Sequence, residues 1–343
     1  MPKEKFKFRK EVCQSFRNVK GWTFSDKFVV SFTGCKANIF DKNLNLLYTI
    51  TDLKCVYHGY ISNDESKLLL VSSSNLFYVF SLEKFVLLQK YALQGRFNYS
   101  IDGCGAWGFD NNTFLIGAID KYSLCSCIMI FSPHSTSPIK QIEFKNHCFT
   151  KILSLNHLNK HLLIGTDHLQ DHKNCLVFLQ NDDIEEYIIE DFDDIIHDAE
   201  YNPILDKYII YGAENTIICD ECGLLINSID IQKSIGNTSF FIKNWLNELN
   251  LSDKKKYEML QNILNLLGGD NEVFENINKL LWSKNLNMIL GATNNRFFVY
   301  DNSDKKIVFS KVVPFGVYDL VEINDNRVIL QTWNGTNIYR YEI

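Results

Sequence analysis

Proline is scarce in this chain, with 5 among 343 residues, and glycine is modest at 17. Those counts exclude a collagen-like or Pro/Gly-rich low-complexity chain. An excess of positive charge is missing too: 35 Lys and Arg face 41 Asp and Glu, for a net charge of -6. A nucleic-acid binder held by bulk positive charge is thereby excluded. No run of about 18 strongly apolar residues occurs, so no membrane-spanning helix is expected. The longest uncharged stretch, YSLCSCIMIFSPHSTSPI, is interrupted by Ser, Pro and His. The N-terminal MPKEKFKFRKEVCQSF is basic and lacks the apolar core of a secretory signal. Ten cysteines without such a signal point to reduced thiols and a cytoplasmic location.

What the chain does have is 46% hydrophobic and 13% aromatic residues, arranged in short apolar runs between Asn/Asp/Gly/Ser clusters. That spacing reads as many strands. One unit recurs seven times. It opens on a strand with anchors such as Val19, Trp22 and Phe24, or Ile196, Ala199 and Tyr201. A very apolar second strand follows: KFVVSF, KLLLVSS, TFLIGA, HLLIGT, KYIIYG, NMILGA and RVILQT. The third strand ends on Phe40, Phe80, Phe131, Leu179, Cys219, Tyr300 or Tyr339, and a fourth strand comes after a turn. These ends fall roughly 40–50 residues apart, with one interval of roughly 80.

Four antiparallel strands at this period are the signature of propeller blades. The expected fold is all-β: a seven-bladed β-propeller of four-stranded antiparallel blades, occupying residues 1–343 as one domain. The seventh unit lacks a fourth strand. The strand-like segment near residues 5–13 is expected to supply it and to close the ring. In fold the chain resembles the WD-repeat-like seven-bladed propellers. Phe40-Asp41, Tyr300-Asp301 and Cys219-Asp220 echo the Trp-Asp dipeptide at the third-strand end, while the Gly-His dipeptide is not found.

The long interval holds an insertion, residues 236–271, between blades five and six. Phe241, Trp245 and Leu249 share one helical face. Tyr257, Leu260, Leu264 and Leu267 share another, and Gly268-Gly269 ends it. A helical hairpin is expected here, either packed on its own rim or serving as a lid or docking element.

Candidate chemistry is sparse. Neither a phosphate-binding glycine loop nor a G-x-S-x-G elbow is found. Cys219 and Cys222 form a CxxC, but Cys219 stands where other copies carry aromatic anchors, which marks it as packing. His168, Asp171 and His172 lie together in a blade-four loop and offer ligand types for a divalent metal. No other cofactor is expected. Asp191, Asp193 and Asp194 make the following connection acidic. With Trp245 and Tyr257 they are candidates for contact with a protein or peptide partner. Inner strands line a propeller's channel, so Lys20, His58, Lys151, His197, Asp198 and Asp319 are candidates at its mouth.

These features point to a monomeric, non-enzymatic interaction module that uses the top face and the insertion, without nucleic acid or membrane. Two alternatives stay open: a top-face metal-dependent or His-based hydrolase or lyase, and a neutralising, immunity-type partner of a toxin.

Overall fold

The computed structural model describes residues 7–10, 19–93, 95, 97–99, 104–155, 158–167, 173–181, 183–189, 192, 194–202, 205, 207–213, 215–220, 225–229, 252–266, 276–283, 288–313, 316–323, 327–332 and 335–342. Its strands form seven antiparallel sheets arranged as the blades of a propeller. Blade one is typical, with Gly21–Phe24 innermost, then Phe28–Phe32, Ala37–Asp41 and Leu46–Ile50 outermost. In blade seven, Lys7–Lys10 pairs with Gly335–Glu342 and occupies the outermost place. The first and last strands of the chain thus sit in one sheet, and each covers an edge the other would leave bare.

Blade three departs from the pattern. Two short segments, Phe97–Tyr99 and Gly105–Trp107, share its inner position, and both pair with Phe114–Asp120. Between them Cys104 packs against Gly117, where an added Cβ would stand 2.5 Å from the Cys104 sulfur. Only glycine leaves room for the chain to change course there.

The second strands are apolar at nearly every position for a geometric reason. Successive side chains point to opposite faces of a strand, and each blade has a neighbour on both sides. Leu68 and Leu70 pack with Phe32 and Ile39 of blade one. Leu69 and Val71, one residue along, pack with Phe114 and Phe131 of blade three. The same alternation recurs around the ring, and each of the seven junctions holds its own apolar layer. Burying each large side chain in such a layer stabilises by roughly 1.5–3 kcal/mol.

The aromatic content is explained here. All seven third-strand ends, from Phe40 to Tyr339, are buried. Between blades two and three, Phe77, Tyr91, Phe114 and Phe131 meet at ring-centroid distances of 5.3–6.2 Å. Cys219 is fully buried in the layer between blades four and five, as its alignment with the aromatic anchors implies. The acidic residue after the anchor is a turn device. Asp41 accepts the backbone N–H groups of Asn43 and Asn45 at 2.8 Å, and Asp301 accepts that of Ser303 at 2.8 Å.

Polar groups tie blade to blade. The Trp22 indole donates to Gln331 at 3.0 Å, joining blades one and seven. The Trp107 indole donates to the Tyr60 carbonyl at 2.8 Å, and the Ser154 hydroxyl to the Trp107 carbonyl at 3.1 Å. Within the insertion the structure describes one helix, Asp253–Leu266. It begins after Ser252, whose carbonyl accepts the Lys256 N–H at 3.0 Å. The helix expected over Phe241, Trp245 and Leu249 lies outside the described residues, as does the Gly268-Gly269 stop. No described helix is long and apolar enough to cross a membrane.

Candidate functional site

Every blade repeats one up-and-down order, so the seven inner strands enter the channel from the same end. Residues at or just before their starts are therefore gathered at one mouth. The channel is a cavity of about 550 Å³ lined from all seven blades. Lys20, His58, Lys151, His197, Asp198 and Asp319 all line it, together with Tyr57, Asn278 and Lys279.

The centre of the arrangement is Asp198. Lys151 Nζ of blade four lies 2.6 Å from its Oδ1, and Lys279 Nζ of blade six lies 2.5 Å from its Oδ2. One carboxylate on blade five thus connects three blades. Its Oδ1 also accepts the Ala199 backbone N–H at 2.9 Å, and the Tyr211 hydroxyl donates to Oδ2 at 3.3 Å. Burial works against the Asp198 charge, but the two ammonium groups outweigh it and hold the carboxyl below the ordinary range. Burial likewise opposes the charge on Lys279, and Asp198 outweighs it, raising the lysine.

The neighbouring titratable groups are pushed toward neutrality. Burial, helped by Lys151, lowers His58 to about 4. Burial raises the Asp319 carboxyl, with Lys279 opposing. Burial pushes Glu200 up to about 8 against Lys279 and a backbone hydrogen bond from Trp282. Glu200 stands two residues beyond Asp198 on the same strand, Asp198–Asn202. Alternation alone puts both on one face, the signal by which Glu200 and Asp198 could have been coupled in the sequence. Tyr211 lies directly across the ladder from Asp198, a pairing that needed the register.

Around this hub the mouth is open. Lys20 and His197 are exposed and Tyr57 is 38% exposed; Ile195, two residues before His197, is 73% exposed. Asp194 has a different task. Its Oδ1 accepts the Ile195 N–H at 2.8 Å and its Oδ2 the Asn215 N–H at 3.1 Å. A Cβ at Gly212 would meet that second oxygen at 2.3 Å, so a glycine lets the carboxylate brace the Gly212–Asn215 turn. Tyr257, on the insertion helix, is 64% exposed and is not among the residues lining the channel. Trp245, Asp191, Asp193, His168, Asp171 and His172 lie outside the described residues.

The ring geometry has counterparts among solved structures. The C-terminal WD40 domain of Sif2 superposes with a TM-score of 0.62 at 12% identity, covering 95% of this chain and 81% of that one. The β-propeller domain of Cps50 (Swd1) from Myceliophteria thermophila gives 0.68 at 10% identity, covering 96% and 99%. In fold this chain is a seven-bladed β-propeller similar to the WD40 domains. No family model and no curated protein sequence matches it. The likeness is one of fold, carried by strand order and inter-blade packing. In this propeller the ends of the third strands carry a buried apolar or aromatic residue, and the Asp after it braces a turn at Asp41 and Asp301.

Proposed function

We propose that the ring is a non-enzymatic binding module for a protein or peptide, contacted at the channel mouth and through the 236–271 insertion. The observation that carries this reading is the Lys151–Asp198–Lys279 tie. It commits the best-placed carboxylate to holding blades together, while Tyr57, Ile195, His197 and Lys20 remain presented at the rim. An aromatic ring and an aliphatic side chain beside exposed polar groups are suited to anchoring a partner segment. Asp198 accepts from both lysines and from Tyr211, which leaves it poorly placed to take a substrate proton. The net charge of -6 favours a protein over a nucleic acid. The module acts as a monomer in a reducing, cytoplasmic setting. Buried thiols at Cys104, Cys127, Cys175 and Cys219 suit such a setting.

The experiment is affinity capture with the full chain, with a chain lacking residues 236–271, and with a Tyr57→Ser/Ile195→Ser variant. A partner retained by the full chain and weakened at least about tenfold by the rim variant supports the reading. Equal capture by all three proteins, with melting unchanged, rejects the mouth and the insertion as contact surfaces.

A second reading, a His-based hydrolase or lyase, is favoured by one observation: His58 and Asp319 line one cavity with shifted protonation. It requires His58→Asn to abolish turnover while leaving the melting temperature intact.

A further inference from the structure

Blade four carries a second polar constellation, outside the channel. His147 opens its inner strand His147–Leu155, Cys175 lies on the third strand Lys173–Gln180, and Glu186 on the outer strand Asp183–Ile188. Register brings the last two together. Cys175 pairs with Ile188 and Val177 with Glu186, so alternation puts all four side chains on one face. His147 reaches the same face from the inner strand, and its Nε2 lies 2.8 Å from Glu186 Oε1. The imidazole nitrogen, the Cys175 sulfur and a carboxylate oxygen all lie within 4.8 Å of one another.

We infer that His147, Cys175 and Glu186 form a binding site for a zinc-class divalent ion, with a fourth position open to water. Nitrogen, sulfur and oxygen donors in one cluster suit a borderline metal, whereas magnesium and calcium select oxygen alone. A tetrahedral ion would set such donor atoms roughly 3.5 Å apart, within the range these three already span. The burial gradient suits entry from solvent. Cys175 is fully buried, the His147 side chain is 13% exposed and that of Glu186 is 36% exposed. The ring of His147 is braced by Phe149, stacked at 5.5 Å, and by Phe144, edge-on at 5.9 Å.

Without an ion the sulfur is a protonated thiol: burial, then Glu186 and Asp167, push it up to about 12. A cation reverses that balance, because the metal replaces the thiol proton and one proton leaves to solvent. The ion would join the inner, third and outer strands of one blade. It would therefore raise the melting temperature. None of the three donors belongs to the channel lining.

The test uses the metal-depleted full chain, titrated separately with zinc and with cobalt(II). One bound equivalent, a thiolate-to-cobalt charge-transfer band, proton release and a raised melting temperature are expected. Cys175→Ser should remove the band, and Glu186→Gln should weaken zinc binding at least about tenfold. Glu186 lies on an exposed strand, so that variant reports even where Cys175→Ser fails to fold. A His168→Ala/His172→Ala variant should bind as the parent does. Absence of saturable binding would overturn the assignment. So would a cobalt complex without the thiolate band, or affinity unchanged in Glu186→Gln and lost in His168→Ala/His172→Ala.

Discussion

The inter-blade layers, built largely on the second and third strands, and the channel hub, built on the inner strands of blades four, five and six, solve opposite problems. In the layers, side chains such as Phe114 and Leu69 are fully removed from water and interact without direction. In the hub, Asp198, Lys151 and Lys279 keep 19%, 24% and 25% side-chain exposure and are held by specific short contacts. The layers provide most of the stability, being apolar and repeated seven times. The hub fixes how three particular blades meet, and it does so with charges that only their mutual pairing makes tolerable.

The largest effect is expected at the closure of the ring. Deleting residues 1–16 removes the strand Lys7–Lys10 from the last sheet and exposes the edge of Gly335–Glu342. Unfolding should lose cooperativity and begin at lower denaturant concentration; unchanged thermal melting would mean the pairing contributes little. Next comes a single apolar layer. Phe114 is fully buried and touches Tyr91, Trp107 and Phe131. Phe114→Ala should cost about 3–5 kcal/mol in denaturant titration. A loss below about 1 kcal/mol would show that the layer collapses around the gap.

The hub should respond less. Asp198→Asn leaves two lysines facing each other without their carboxylate. Because the three side chains keep some contact with water, the loss should be about 2 kcal/mol at neutral pH, between surface and buried pairs. At Glu200 the effect is small only near pH 5 and grows as pH rises. Its carboxyl is raised to about 8 from 4.5, so folding is favoured below pH 4.5 and that benefit is lost as pH rises through 8. Glu200→Gln should therefore change little near pH 5 and gain stability relative to the parent above pH 8. A constant difference across that window would place Glu200 in a hydrated environment.

The same contrast explains what could be read from the sequence. Layer residues recur at fixed intervals, and the period alone located the second strands and third-strand ends. Phe40 and Cys219 share a role despite their chemistry, because position in the repeat sets burial. Blade three's divided inner strand was less legible: the anchor spacing of Val19, Trp22 and Phe24 recurs at Cys104, Trp107 and Phe109 and implies one continuous strand, whereas Gly105–Trp107 is a short piece and Phe109 lies in the turn after it. Hub residues were legible only as positions. Lys151, Asp198 and Lys279 are each separated by tens of residues and sit once in their repeats. Their meeting depends on the angle between blades, which no periodicity encodes. Asp194 shows the converse. Its acidic neighbourhood suggested a surface charge, but its oxygens are engaged by the Ile195 and Asn215 backbone.

The central claim is that Asp198 acts as a charged tie among blades four, five and six. It is tested most directly by the stability difference between the parent and Asp198→Asn across pH, from urea titrations. The Asp198 carboxyl is depressed in the folded ring, so its contribution is present above the unfolded value of 3.8 and fades as pH falls below it. The account predicts a difference of about 2 kcal/mol near pH 7 that shrinks steadily below about pH 4. A difference that is negligible at pH 7, or that persists unchanged into acid, would contradict it.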